Sequence, residues 1–379
     1  MERKLYCIIA YAFLTTIIFH ELPCLAKIAT SLSTDQNALL SLKQHITSDP
    51  FVIVSRNWTN SSSVCSWIGV TCSSRHHRIA ALNLSHMSLS GTIPPQLGHL
   101  SFLVSLDLTT NLFSGALPQE LSLLHHLKFI SLRLNNFTGS IPKSLSNLTN
   151  LQILELSSNS LSGELPKELG RLQNLKVLSI EYNHLWGYIP SEIFNMSKLG
   201  IMAFSSNELS GSLPTYMCSN LPFLAGMYLS KNELSGMIPT NISQCSRLGM
   251  LVLSSNSFSG QIPLEIGYLA SLQGLYLSLN RLNGTLPHEI GNLQDLVYFG
   301  VGSNQFWGSF PLNIFMNMSS SLQQLHIWRN RFTGSLSRDV GNLTRLTTFD
   351  LSENYFTGII PTEFGQLHQM KFFNHPQTT

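Results

Sequence analysis

Hydrophobic and polar positions alternate along most of the chain in a pattern that repeats itself. From residue 79 onward, stretches such as LDLTTNLFSGALP (106–118) and LVLSSNSFSGQIP (251–263) return at a step of 24 residues, with one step of 25 and one of 26. Within each stretch the first leucines alternate with polar residues, as they do on a half-buried β-strand. A fixed period of this length predicts a solenoid of stacked repeats.

Three further positions of the repeat are nearly invariant along the chain. A glycine follows the central asparagine by four residues in all twelve repeats, and a proline follows it by seven, except at Ser337. The central position is Met87 in the first repeat and asparagine in the other eleven: Asn111, Asn135, Asn159, Asn183, Asn207, Asn232, Asn256, Asn280, Asn304, Asn330 and Asn354. This is the pattern of a leucine-rich repeat, so we expect an α/β solenoid of about twelve repeats spanning 79–373.

Elementary chemistry explains the conserved positions. Leu106 and Leu108 point into the core while Asp107 points outward. The amide of Asn111 is expected to bond backbone groups that the bend leaves unpaired, in its own repeat and the next, because an unpaired buried group costs about 1–3 kcal/mol. No repeat buries its apolar edge alone, so stability depends on neighbours.

The N-terminus has the layout of a secretory signal peptide, predicted over residues 1–26. A charged start precedes an apolar run, Leu5 to Phe19, and small residues end at Ala26. A membrane anchor is the alternative, but this run is short for a bilayer, which needs about 20 residues.

An N-terminal cap is predicted over 27–78. A capping box at Ser33–Gln36 precedes a helical pattern of apolar residues, and the stretch CSWIGVTC follows. In a secreted chain Cys65 and Cys72 favour a disulfide, with zinc binding as the competing interpretation. Cys218 and Cys245 lie on outer segments of successive repeats, so either a bridge or two buried thiols is open.

Charge and glycosylation signals fit an extracellular protein. Lys, Arg, Asp and Glu make up only 11% of residues, with net charge +2, which argues against nucleic-acid binding. An apolar fraction of 43% argues against disorder. Glycans on N-x-[ST] sequons would supply solubility. The ten sequons are Asn57, Asn60, Asn83, Asn136, Asn147, Asn195, Asn241, Asn283, Asn317 and Asn342.

Exposed aromatic and basic residues on the outward strand positions predict a binding surface for a peptide or protein. Aromatic residues and arginine are typical of binding hot spots. The predicted residues are Tyr182, Tyr228, Lys231, Tyr276, Tyr298, His326, Trp328 and Arg329. Alternatively, His326 pairs with Asp350 and Arg329 with Glu353 in the neighbouring repeat. Glu155 and Glu181 are interpreted as open to water with nothing to raise a pKa, so no catalytic, metal or cofactor site is predicted.

The cap residues Trp58, Cys65, Trp67 and Cys72, together with the LSGxIP motif, resemble the ectodomain of plant leucine-rich-repeat receptor-like kinases. The similarity runs over about 33–365 and is strongest to the group that holds receptors for bacterial patterns and for rice blight resistance. It implies a right-handed superhelix of the plant type at the cell surface or outside the cell. It also implies a ligand on the concave side, a possible co-receptor kinase, and immune or developmental signalling.

Two features depart from that family. Its members continue into a transmembrane helix and a kinase, whereas this sequence carries no kinase motifs and ends after Asn354 in an irregular tail at 374–379. The hypothesis is therefore a receptor truncated before these parts. The alternative is a secreted inhibitor of cell-wall hydrolases, similar to polygalacturonase inhibitors.

Overall fold

Two long sheets run the length of the molecule. The computed structural model describes residues 31–375, so the predicted signal peptide and the residues after His375 lie outside the described residues. Each repeat contributes a strand to a fourteen-stranded sheet, the inner sheet, and a strand to a thirteen-stranded sheet, the second sheet. A short 3-10 helix on the outer side closes most repeats. The sequence-based prediction of a leucine-rich-repeat solenoid is confirmed.

The elements follow the sequence period. Helix α1 spans Leu32–His45 and helix α2 spans Ile53–Asn57. The inner sheet consists of Val70–Cys72, Ile79–Asn83, Ser105–Asp107, Phe129–Ser131, Ile153–Glu155, Val177–Ser179, Ile201–Ala203, Gly226–Tyr228, Met250–Val252, Gly274–Tyr276, Tyr298–Gly300, Gln324–His326, Thr348–Asp350 and Phe372–Asn374. The second sheet consists of Ile46–Ser48, Ser90–Gly91, Leu112–Ala116, Asn136–Gly139, Ser160–Glu164, His184–Tyr188, Glu208–Ser212, Glu233–Gly236, Ser257–Gly260, Arg281–Gly284, Gln305–Ser309, Arg331–Gly334 and Tyr355–Phe356. The 3-10 helices are Val64–Ser66, Pro95–His99, Gln119–Leu123, Lys143–Asn147, Lys167–Arg171, Ser191–Asn195, Thr240–Gln244, Leu264–Tyr268, His288–Asn292, Leu312–Met318, Arg338–Asn342 and Thr362–Gln366.

The two sheets differ in register. On the inner sheet equivalent residues of successive repeats pair directly, for example Leu178 with Met202. On the second sheet a residue pairs with one that stands two positions earlier in the next repeat, as Trp186 pairs with Glu208. Outward residues of the inner sheet therefore form straight columns, whereas those of the second sheet form oblique rows.

The asparagines join neighbouring repeats. Asn159 donates from Nδ2 to the carbonyl of Leu132 in the preceding repeat and to that of Leu156 in its own, both at 3.0 Å. Its Oδ1 accepts from the amide of Phe137 at 3.0 Å. Among the described residues the other ten asparagines of the ladder bond in the same way. The prediction that they reach the next repeat is wrong in direction, because the carbonyls left free by the bend belong to the preceding one.

The cap differs from the prediction at its start. Helix α1 begins after Ser31, whose side chain and that of Thr34 form the capping box, two residues before the predicted one. Asp35 is instead fully buried and accepts from the Arg78 Nε at 2.8 Å and from the Ile79 amide at 3.1 Å. Its carboxylate therefore ties α1 to the first strand of the solenoid.

Disulfides close the cap and one outer segment. Cys65 is bonded to Cys72 with Cα atoms 5.4 Å apart, so the zinc alternative is wrong. Cys218 is bonded to Cys245 with Cα atoms 5.1 Å apart, which selects the bridge over two free thiols. Cys218 lies in the repeat of 25 residues, where turns replace the usual 3-10 helix, so the bond fastens an irregular segment to its regular neighbour.

Candidate ligand-binding face

Five aromatic residues lie together on the outward side of the inner sheet, in the repeats of Asn232 to Asn330. We call Tyr228, Tyr276, Tyr298, His326 and Trp328 the aromatic face. All five are half-buried although they stand at outward positions. Five of the eight predicted ligand residues thus lie together, and neighbouring glycines explain how their rings fit there.

Glycines leave room for these rings close to the sheet. A Cβ atom at Gly300 would lie 2.7 Å from Cε1 of Tyr298, and one at Gly302 would lie 2.3 Å from Nε1 of Trp328. Each ring therefore occupies the space that a side chain would otherwise fill, an arrangement known for aromatic residues beside strand glycines.

The same holds at the other end of the face. A Cβ at Gly226 would lie 2.6 Å from Cε2 of Tyr228, and one at Gly274 would lie 2.7 Å from Cε2 of Tyr276. The sequence-based prediction considered the aromatic residues and not these glycines. Three of the four glycines stand two residues from the tyrosine that they accommodate, and Gly302 stands at the position equivalent to Trp328 in the preceding repeat.

Three of the rings form a continuous stack. The ring centroids of Tyr276 and Tyr298 are 3.8 Å apart with an interplanar angle of 12°. Tyr298 and His326 follow at 5.2 Å and 29°. Tyr298 belongs to a different column from the other two, and its ring reaches them because Gly300 leaves the place between them empty.

The stacked groups are uncharged near neutral pH. Burial, with a smaller effect of Tyr276, raises the pKa of Tyr298 to about 12, and burial also raises the pKa of Tyr276. Burial lowers the pKa of His326, and the carboxylate of Asp350 only partly opposes this. The face therefore presents apolar ring surface with hydroxyl and imidazole groups at its edges.

A partly buried carboxylate lies next to the aromatic face. Burial raises the pKa of Glu181, and a hydrogen bond from Ser205 and the charge of Arg133 partly oppose this shift. Burial also raises the pKa of Tyr228, and the charge of Glu181 adds a smaller increase. The interpretation that both glutamates are open to water is therefore wrong for Glu181. Glu155 accepts from the Ser131 hydroxyl at 3.0 Å.

The remaining predicted ligand residues lie at the edge of the sheet. Tyr182, Lys231 and Arg329 each precede the ladder asparagine with φ of 54°, 55° and 51°, so the backbone turns there and their side chains project outward from the bend. Arg329 lies 3.7 Å from a carboxylate oxygen of Glu353, as the alternative interpretation held. Tyr182 belongs to the Asn183 repeat, and the aromatic face begins two repeats later.

The sequons avoid the aromatic face. Of the ten, only Asn83 lies on a described strand of the inner sheet, in the first repeat. Eight are exposed, whereas Asn57 and Asn241 are half-buried because their side chains accept from the backbone amides of Ile68 and Cys218. Glycosylation at any of them stays a prediction.

The described residues contain neither a membrane-spanning helix nor a cluster of metal-ligating side chains. Across 31–375, none of the helices has the length and apolar character that crossing a bilayer requires. Within the same range, no cluster of three or more His, Cys, Asp or Glu side chains is arranged to hold a metal ion.

Comparison with known proteins matches the chain to three models: a leucine-rich-repeat N-terminal domain at 32–73, a leucine-rich-repeat region at 71–186, and single leucine-rich repeats at 271–293 and 345–367. The receptor-like serine/threonine-protein kinase EFR of Arabidopsis thaliana is 37% identical over 102 residues, which are 25% of this chain and 10% of that protein. The kinase in its name describes the full-length relative.

Solved structures cover more of the chain. PEPR1, solved with AtPEP1, is 32% identical with a TM-score of 0.78 over 91% of this chain and 51% of that one. The plant peptide hormone receptor RGFR1, solved with RGF2, is 35% identical with a TM-score of 0.71 over 76% and 49%. The chain thus spans about half the length of these solved chains and 10% of the length of EFR. It belongs to the leucine-rich-repeat proteins, and its relatives are plant receptor kinases matched over their repeat-containing ectodomains.

Proposed function

We propose that this chain is the ligand-recognition region of an extracellular plant receptor, and that a peptide binds across the aromatic face. The observation that carries the proposal is the stack of Tyr276, Tyr298 and His326, held on glycine-lined strands. Rings that are already ordered lose little conformational freedom on binding, which favours affinity. Tyrosine and tryptophan are also the residues that most often dominate binding energy.

The chemistry of the face defines the ligand. The rings of Tyr228 to Trp328 favour apolar or aromatic peptide side chains, because they offer broad, partly dehydrated surface. Glu181 favours a basic side chain at the end nearest Tyr228, since a cation would replace the water that this carboxylate has partly lost. The ligand is therefore a peptide with an apolar or aromatic segment and a Lys or Arg on one side.

Its place in signalling follows from the relatives. RGFR1 is a peptide hormone receptor solved with RGF2, which supports a peptide ligand here. In a full-length receptor the recognition region lies outside the cell, a kinase on the other side of the membrane carries the signal, and a co-receptor kinase is a possible partner. An immune or developmental role for this chain belongs to the same proposal.

A peptide-display screen tests the binding face. Peptides selected on the secreted wild-type chain are measured against the variant Tyr228→Ala/Tyr276→Ala/Trp328→Ala. Affinity is expected to fall by roughly a hundredfold or more, because each hot-spot residue contributes about 2 kcal/mol. The control Tyr216→Ala/Tyr268→Ala removes exposed aromatics of the outer side and should leave affinity unchanged. Equal affinity of the triple variant and the wild type would refute the proposal.

The inhibitor alternative stays a prediction with its own assay. The purified chain is added to fungal and plant polygalacturonases, and the release of reducing ends is followed. Inhibition that survives the triple substitution would favour the inhibitor over a peptide receptor.

A further inference from the structure

One position of the repeat on the second sheet departs from its own pattern at two tryptophans. The residue three positions after the central repeat position is serine or threonine in nine of twelve repeats, and the exceptions are Trp186, Asn283 and Trp307. Trp186 is 49% exposed and Trp307 is 55% exposed. At these two repeats a large apolar ring, largely in water, replaces the small hydroxyl side chain of the other repeats.

The register places Trp307 beside a sequon. Asn283 pairs with Gln305 of the next strand, and Gly284 pairs with Phe306. Trp307 is therefore the diagonal neighbour of Asn283, two residues further along the adjacent strand. Strand spacing and rise put their Cα atoms about 8 Å apart, a diagonal within reach of long side chains.

Both side chains point to the same solvent-facing side. Asn283, Gln305 and Trp307 are exposed, while Leu282 before Asn283 and Phe306 between Gln305 and Trp307 are buried. The sequon threonine, Thr285, is also exposed and lies beside Gly308, the residue after Trp307: a Cβ added at Gly308 would be 3.2 Å from its methyl group. The acceptor asparagine, the sequon threonine and the tryptophan thus form one small outer surface.

We propose that an N-linked glycan on Asn283 packs its first N-acetylglucosamine against the indole of Trp307. The Nδ2 atom of Asn283 attacks C1 of the sugar on a lipid-diphosphate-linked oligosaccharide donor. A C–N bond forms, the C–O bond to the diphosphate breaks so that the lipid diphosphate leaves, and the proton lost from Nδ2 passes to solvent. The C–H face of the sugar then covers apolar ring surface that would otherwise stay in water.

The rest of the second sheet supplies internal controls. Trp186 is flanked in register by Glu164 and Glu208, and neither of those strands carries a sequon. Asn136 is a second-sheet sequon whose paired neighbour in the preceding repeat is Ser114. The inference requires passage through the secretory pathway and is independent of the proposed ligand face.

Enzymatic release of the glycans tests the packing. The chain is secreted with high-mannose glycans, and an endoglycosidase that cuts between the first two sugars is applied to the native protein. Glycopeptide mass spectrometry follows release at Asn283 and Asn136. Trp307→Ser should speed release at Asn283 by roughly three- to tenfold, the range expected for one aromatic contact, and leave Asn136 unchanged.

Two further variants test whether an aromatic ring at position 307 is what protects the glycan. Trp307→Phe keeps a ring and should retain most of the protection at Asn283, whereas Trp186→Ser should change neither rate. An unoccupied Asn283, or an unchanged rate in Trp307→Ser, would overturn the proposal.

Discussion

On the inner sheet, glycines determine where the neighbouring aromatic rings can lie. Tyr298 and Trp328 could be recognised from the sequence as outward aromatics, but the close approach of their rings to the sheet could not. This approach depends on the space left at Gly300, which lies on the same strand as Tyr298. It also depends on the space left at Gly302, in the repeat that pairs directly with the repeat of Trp328. The alternation along a strand predicts which way a side chain points. It does not predict how much space the neighbouring residues leave for that side chain.

Gly300→Ala should disrupt the stack. The added Cβ would meet Tyr298 at 2.7 Å, while the backbone at Gly300 lies outside the left-handed region, so alanine is accepted and the ring must move. We expect weaker near-ultraviolet circular dichroism and roughly tenfold weaker binding of a selected peptide. Gly249→Ala is the control, because its Cβ would meet only ordinary contacts at 3.6 Å. A stack that persists in Gly300→Ala would contradict the role given to this glycine.

Glu181→Gln should change stability in a pH-dependent way. Burial raises the pKa of Glu181 above its ordinary value of 4.5 in the folded chain. Below that value the group is protonated in both states. As pH rises through the folded pKa, ionisation favours the unfolded chain, so the carboxylate destabilises the fold. The Gln variant should therefore unfold at higher denaturant than the wild type at pH 7 and at equal denaturant at pH 4. A difference that is the same at both values would show that Glu181 is fully solvated.

The repeats were the most predictable elements. Their strands and asparagines follow from the period, because alternation and a buried amide are local requirements. The two-residue offset of the second sheet does not follow, since it arises from how whole repeats stack. The predicted start of helix α1 is also wrong. Asp35 does not cap the helix, because its carboxylate bonds to Arg78, which is 43 residues away in the sequence.

Asn256→Ala should weaken the junction between two repeats. It leaves the carbonyls of Leu229 and Leu253 and the amide of Leu234 without their partner. Each bare buried group costs about 1–3 kcal/mol. We expect a clear fall in the urea midpoint, with an intermediate fall for Asn256→Asp, which keeps the acceptor only. The exposed Asn342→Ala serves as control. A midpoint for Asn256→Ala equal to that of the control would argue against the ladder as a stabilising element.

The molecule as a whole is one stacked core with specialised surfaces. The inner sheet carries the aromatic face, the second sheet carries the two exposed tryptophans, and the 3-10 helices carry several sequons on the outer side. The sequence predicted the stacking, since it follows from the period, whereas the binding surface stays a prediction. The sequence could not single out Tyr228 through Trp328 as one cluster, because that cluster depends on contacts among separate repeats.

The Cys218–Cys245 bond should hold the irregular repeat in place. It closes a segment with a sequence separation of 27, for which chain-entropy arguments give about 3.5 kcal/mol. In Cys218→Ser/Cys245→Ser, hydrogen exchange should accelerate between residues 214 and 248 and stay slow in the flanking repeats. Faster exchange along the entire solenoid would indicate that repeats unfold together and not as neighbours.

Photo-crosslinking measures the position of a bound peptide directly. Val252 lies outward between Tyr228 and Tyr276 in register, and Ser210 lies on the second sheet. Each is replaced by p-benzoylphenylalanine and irradiated with a selected peptide. The proposal predicts crosslinks from position 252 and none from position 210. Crosslinks from position 210 with none from position 252 would contradict recognition by the aromatic face.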